Sequence, residues 1–190
     1  NKSQNSRSNP MNPKITLKYI ILIFIAVFAS TILHELAQWS MGEILGNRMT
    51  ATLNSTFPIT GEYQKEWHRN FVTMAGPIFT ICQAILIYFL IQKYKRIELY
   101  PFLFFPLVFR IGAGLANSAG PNDEGRCGMS LGIGLFTVSI LVCDFLFYLV
   151  FKTSRRLKIS LKFNSISFFL CVVILLFLTF IDHQFQIRLM

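Results

Sequence analysis

The stretch Ala29-Ser30-Thr31-Ile32-Leu33-His34-Glu35-Leu36-Ala37-Gln38 closes an apolar run that begins at Ile15, and its reading decides the fold. A run of about 20 apolar residues is what a helix needs to cross the hydrocarbon core of a bilayer. At its end stand an imidazole and a carboxylate, groups that are costly at membrane depth and usually functional there. In a helical H-E-x-x-H the two histidines lie one turn apart and bind one metal ion, while the neighbouring glutamate serves as general base. Here residue 38, where the second histidine would stand, is glutamine.

Four more apolar stretches follow, at about 70–91, 100–116, 128–151 and 163–181. With 53% hydrophobic residues, 20 Phe and a mean hydropathy of +0.52, the composition excludes an ordinary soluble domain. The expected fold is an all-α polytopic membrane protein of about five transmembrane helices, with the lipid bilayer as its first partner. Each span satisfies its own backbone groups, and no internal repeat divides the chain. Residues 1–13 form a polar tail expected to be disordered, and 14–190 a single transmembrane domain. The first run is too long for the apolar core of a cleavable signal peptide, so it is expected to stay in the mature protein; Met11 is an alternative start.

A formal net charge of +9 invites a nucleic-acid reading, but the basic residues flank the apolar stretches instead of forming one domain, so no nucleic acid is expected. Lys2, Arg7, Lys14 and Lys18 precede the first stretch, and Lys93, Lys95 and Arg96 lie between the second and third. Lys152, Arg155, Arg156, Lys158 and Lys162 lie between the fourth and fifth. Five spans put all three clusters on one side, which the positive-inside rule makes cytoplasmic, with the N-terminus inside and the C-terminus external. The connections 41–69 and 117–127 then share the external side, and the His34-Glu35 pair and Asp123-Glu124 arrive at the same face.

The segment 49–60 is rich in threonine, alternates in part and ends at Gly61, which predicts a short strand or hairpin at the interface or against protein. Cys82, Cys127, Cys143 and Cys171 show no C-x-x-C spacing and three lie inside apolar stretches, so neither a disulfide framework nor a cysteine zinc site is expected. Cys127, at the edge of a stretch, is the one thiol whose reactivity is in question.

Asn70-Phe71-Val72-Thr73-Met74-Ala75-Gly76-Pro77 opens the second stretch, and Pro121-Asn122-Asp123-Glu124-Gly125-Arg126 precedes the fourth. Following the His34-Glu35 pair in this order, these motifs resemble the site-2 protease family of intramembrane zinc metallopeptidases over roughly 34–134. The resemblance implies a three-helix protease-like core within about 15–151, a Zn ion, and a transmembrane segment of a membrane protein as substrate; the additional C-terminal helix expected at about 163–181 falls outside it. Position by position, His34 matches the first zinc ligand, Glu35 the general base and Asp123 the ligand aspartate. Gln38 departs from the pattern, and its amide oxygen is a poorer ligand than an imidazole nitrogen. The Asp-Gly pair is interrupted as Asp123-Glu124-Gly125, so Asp123 and Glu124 compete for the ligand role. Asp123 is the better match, with Asn122 as an amide supporting it or holding the substrate.

His68 and His183, on the same side of the five-span arrangement, are two imidazoles that could stand in for the missing one, although a histidine beside Trp67 is more often a membrane-surface residue. Arg110 lies about 10 Å along its helix from Asn117, a depth similar to that of Glu35, whereas Asp144 lies nearer the other side. Arg110 either snorkels or binds a backbone carbonyl, or it steadies a carboxylate or an oxyanion at the site. Gly128 with Gly132, and Gly112 with Ala116, have the small-x-x-x-small spacing of close helix packing inside the bundle.

Two functions follow from the resemblance. One is hydrolysis of peptide bonds in or near transmembrane segments by a zinc metallopeptidase; the other is binding of such segments by a catalytically impaired relative. The strand-like segment then either guides an extended peptide through backbone hydrogen bonds or covers the site as a loop. A small transporter has no coupling-site pattern to recommend it.

Overall fold

Thr16 starts the first helix, its hydroxyl accepting from the Tyr19 amide at 3.2 Å where a helix end leaves donors unpaired. From there α1 runs over Leu17–Ile44 in the computed structural model, which describes residues 13–185 and 188–189. The tail expected over 1–13 lies outside the described residues except for Pro13. A short hairpin follows: β1 (Met49–Ala51) pairs antiparallel with β2 (Thr56–Pro58), Thr50 opposite Phe57 and Ala51 opposite Thr56. This is the strand pair that the threonine alternation predicts. It packs on α1 with Met49, Ala51 and Leu53 buried.

The remaining helices are α2 (Glu66–Tyr94), α3 (Tyr100–Ala116), α4 (Asp123–Ser130), α5 (Thr137–Leu157) and α6 (Leu161–Phe185), with a 3-10 turn at Ile97–Leu99. Five segments are long and apolar enough to cross a membrane: Leu17–Ile44, Glu66–Tyr94, Ile97–Ala116, Thr137–Leu157 and Leu161–Phe185. Phe24, Ile78, Phe89, Phe169 and Phe177 face outward from these helices, a surface suited to lipid. The chain is a multi-pass membrane protein.

α1 packs against α2, α3 and α6, and α2 against α3, α4 and α5. Ile23, Val27, Ile91, Leu103, Phe105 and Leu146 are buried at the centre. At one end, polar side chains tie the helices together. The Tyr100 hydroxyl donates to Asn164 Oδ1 at 2.9 Å and lies 2.6 Å from Ser154 Oγ, and Lys18 pairs with Glu98 at 3.1 Å. The starts of α1, α3 and α6 therefore meet the ends of α2 and α5, and the described basic residues of all three clusters gather at that end.

The stretch 128–151 is not one helix. α4 stops at Ser130 and α5 begins at Thr137, because Gly132 and Gly134 take φ of +71° and +96°, a left-handed conformation that only glycine adopts readily. A side chain at Gly128 would collide with the Gly134 carbonyl. Gly128 thus permits a close backbone approach and Gly132 a turn, in place of the helix-packing pair their spacing predicts. Gly112 and Ala116 are exposed on α3, and a side chain at Gly112 would meet nothing within 4 Å, so this pair packs no described helix.

The late start of α5 also moves Asp144. It lies seven residues from Thr137, about 10 Å along the helix, nearer the end away from the basic clusters. α5 buries Leu146, Leu149, Val150, Thr153 and Ser154, and Asp144 is exposed on the opposite face.

Candidate active site

Three helices and the hairpin bring the sequence motifs to one place. His34, Glu35 and Gln38 are all buried on α1, and His34 Nε2 lies 3.2 Å from Asp123 Oδ2, 89 residues away. The imidazole rests on Gly76 of α2, where a Cβ would overlap the ring. Its other nitrogen, Nδ1, is 3.2 Å from Thr80 Oγ1. That hydroxyl also donates to the Gly76 carbonyl at 3.0 Å. Thr80 and Gly76 thus fix the ring so that Nε2 faces Asp123. Arg110 Nη2 stands farther from Nδ1, at 3.4 Å.

The Gln38 amide closes this cluster. Its nitrogen donates to Asp123 Oδ2 at 2.8 Å and lies 3.2 Å from His34 Nε2, so its two protons can serve both acceptors. Asp123 is held from behind by a built loop. Asn117 accepts from the Asn122 amide at 2.8 Å and donates to Ser139 Oγ at 3.0 Å. Asn122 caps α4, accepting from the Gly125 amide at 3.1 Å, and its side-chain nitrogen donates to the Ala113 carbonyl. Asn122 therefore supports Asp123.

Glu124 turns the other way. It pairs with Arg110 at 2.5 Å, both side chains only 2% exposed, and the guanidinium lies 4.4 Å from the centre of the Phe109 ring. Arg110 is thus the cation that steadies a carboxylate, and of the two competing acids it is Asp123 that meets His34. Arg110 Nε and Glu124 Oε2 are buried without a hydrogen-bond partner among the described residues. Such atoms are few in folded proteins.

Glu35 is engaged from the hairpin. Thr56 Oγ1 lies 2.9 Å from Glu35 Oε2 and 3.2 Å from its carbonyl oxygen, so β2 sits directly over this carboxylate. The hairpin is fastened in turn to α6, where Asp182 accepts from Thr52 Oγ1 at 2.8 Å and from the Leu53 amide at 3.1 Å. His34, Glu35, Gln38, Thr56, Arg110 and Asp123 line one cavity of about 450 Å³, within the usual range for ligand sites.

His68 does not line this cavity; it lies 3.0 Å from Asn47 Nδ2 and packs edge-on against Trp67. His183 lines a neighbouring cavity of about 280 Å³ with Thr52 and Asp182. Cys127 is buried on α4, and its thiol is pushed up by burial and, secondarily, by Glu124, which keeps it protonated and unreactive. Sequence reading missed Thr80, Thr56, Asn117 and Asp182. Thr80 could have been found, since it shares a helix face with Gly76 four residues before it. The Thr52–Asp182 contact spans 130 residues and has no local signal.

Among the described residues no three His, Cys, Asp or Glu side chains meet as a metal site, because the third corner here is the Gln38 amide. Two ligands of one tetrahedral zinc stand about 3.3 Å apart, and His34 and Asp123 are 3.2 Å apart with Gln38 reaching both. Turning the amide over would present its oxygen. The chain matches no protein-family model, no curated protein and no solved structure.

Proposed function

We propose that this chain is an intramembrane zinc metallopeptidase of the site-2 protease type, acting on peptide bonds in or near transmembrane segments of membrane proteins. One observation carries the reading: His34 and Asp123 meet at 3.2 Å in a cavity that Glu35 also lines. His34 Nε2, Asp123 and the turned-over Gln38 amide would hold zinc, which supplies polarisation of a water molecule when bound. Glu35 takes the water proton, with one oxygen held by Thr56 and the other left for that transfer. Arg110, held in its ion pair with Glu124, lines the same cavity, and the hairpin offers backbone groups to an extended peptide. His34 lies about 15 Å from the Ile44 end of α1 and about 26 Å from the Leu17 end, so the site lies nearer the end away from the basic clusters. With the basic end cytoplasmic, this proposal puts the site nearer the external face.

A second reading, a protease-derived binder of membrane segments, is favoured by Gln38, whose amide joins the two ligand positions without any ion. Wild type and Glu35→Gln, reconstituted with zinc and a panel of single-span membrane proteins, separate the two. Cleavage by wild type that falls about 10²–10⁴-fold in Glu35→Gln supports the peptidase. Equal binding by both proteins with no cleavage supports the binder, and neither binding nor cleavage overturns both.

A further inference from the structure

Asp144 stands in the middle of the outward face of α5, between Ile140, Leu141, Tyr148 and Phe151, all exposed. It lies about 10 Å from the Thr137 end of the helix and about 20 Å from Leu157, well inside the apolar layer. No ion pair or hydrogen bond engages its side chain among the described residues. Aspartate is too short to reach the polar headgroups from that depth. Arg110, within neighbouring α3, is already paired with Glu124.

We propose that this face of α5 binds a transmembrane helix of another protein carrying a lysine or arginine at matching depth. An acid facing hydrocarbon is costly, and intramembrane acids as a rule pair with a base or face a polar cavity. A second copy of this chain would bring another Asp144 to the same face and place like charges together. Lipid amines remain at the surface, above the carboxylate. A partner base at the same depth neutralises Asp144, while Ile140, Leu141, Tyr148 and Phe151 supply the packing that holds helices together in lipid. The face lies on the opposite side of α5 from the packed bundle, so its use does not depend on whether the cavity is catalytic.

The test uses the full chain in phosphatidylcholine nanodiscs, with energy transfer to synthetic leucine-rich transmembrane peptides. One peptide carries a single Lys seven residues from its end, and its control carries Leu there. Wild type is expected to bind the Lys peptide at least about tenfold more tightly than the Leu peptide, and Asp144→Leu to lose that preference. Asp144→Lys is expected to prefer a peptide with Asp at the same position. Equal binding of both peptides by wild type would overturn the proposal, as would a Lys preference that survives Asp144→Leu. Self-association that requires Asp144 would overturn it in favour of a second copy.

Discussion

Gln38 and Asp123 are joined by a 2.8 Å hydrogen bond across 85 residues of sequence, and the same amide nitrogen stands 3.2 Å from His34. One neutral side chain thus bridges the two groups by hydrogen bonding. Gln38→His removes that bridge and places a second imidazole on the same helix face, one turn from the first. Zinc retained after purification in detergent is expected to rise toward one ion per chain, and Gln38→His combined with Asp123→Ala to lose the gain. Equal, negligible zinc in wild type and both variants would rule out the site as a zinc centre.

The Arg110–Glu124 pair gives a stability test that does not depend on catalysis. Arg110→Met leaves the Glu124 carboxylate buried and uncompensated, a change worth about 3–5 kcal/mol where one partner of a buried pair is lost. Arg110→Met with Glu124→Met restores an uncharged interior and is expected to recover most of that stability. Thermal unfolding in detergent measures both. Additive losses in the double variant would show that the two charges act separately.

Much of this architecture is legible in the sequence because hydrophobic length reports directly on crossing a bilayer. The stretch 100–116 coincides with α3, and the threonine-rich segment forms its hairpin. The stretch 128–151 misleads, since Gly132 and Gly134 lower the hydropathy too little to mark a break, yet their backbone conformations end one helix and delay the next. At the site, His34, Glu35 and Asp123 stand out as costly polar groups in an apolar chain. Thr56, Thr80 and Asn117 do not, because hydroxyls and amides are common at helix ends and in loops, and only the fold shows what they touch.

Gly76→Ala separates local helix preference from packing. Alanine favours a helix over glycine by about 1 kcal/mol, but the new methyl group would enter the space of the His34 ring. Overpacking of this kind costs about 1–3 kcal/mol, so the melting temperature is expected to fall. Gly112→Ala is the control: its methyl group meets nothing within 4 Å, and the melting temperature is expected to hold or rise. A stable Gly76→Ala protein would mean that His34 does not pack against α2.

Reporter fusions decide which way the bundle lies. Fusions after Lys95 and Lys158, both at the basic end, are expected to report from the cytoplasm, and a fusion after Met190 from outside. A cytoplasmic signal after Met190 would reverse the orientation and leave the contacts among His34, Gln38 and Asp123 untouched.

Asp182 lies near the far end of α6, a helix outside the core that the motifs define, and it grips the hairpin whose Thr56 holds Glu35. α6 packs on α1 and α3 and otherwise faces outward. A helix placed this way answers to bilayer thickness by tilting. Asp182 holds Thr52 and Leu53 at the foot of the hairpin, and Thr56 of the same hairpin holds the Glu35 carboxylate. The Glu35 carboxylate is thus tied through Thr56 and the hairpin to a lipid-facing helix, and removing α6 would take away the anchor of the hairpin along with a span.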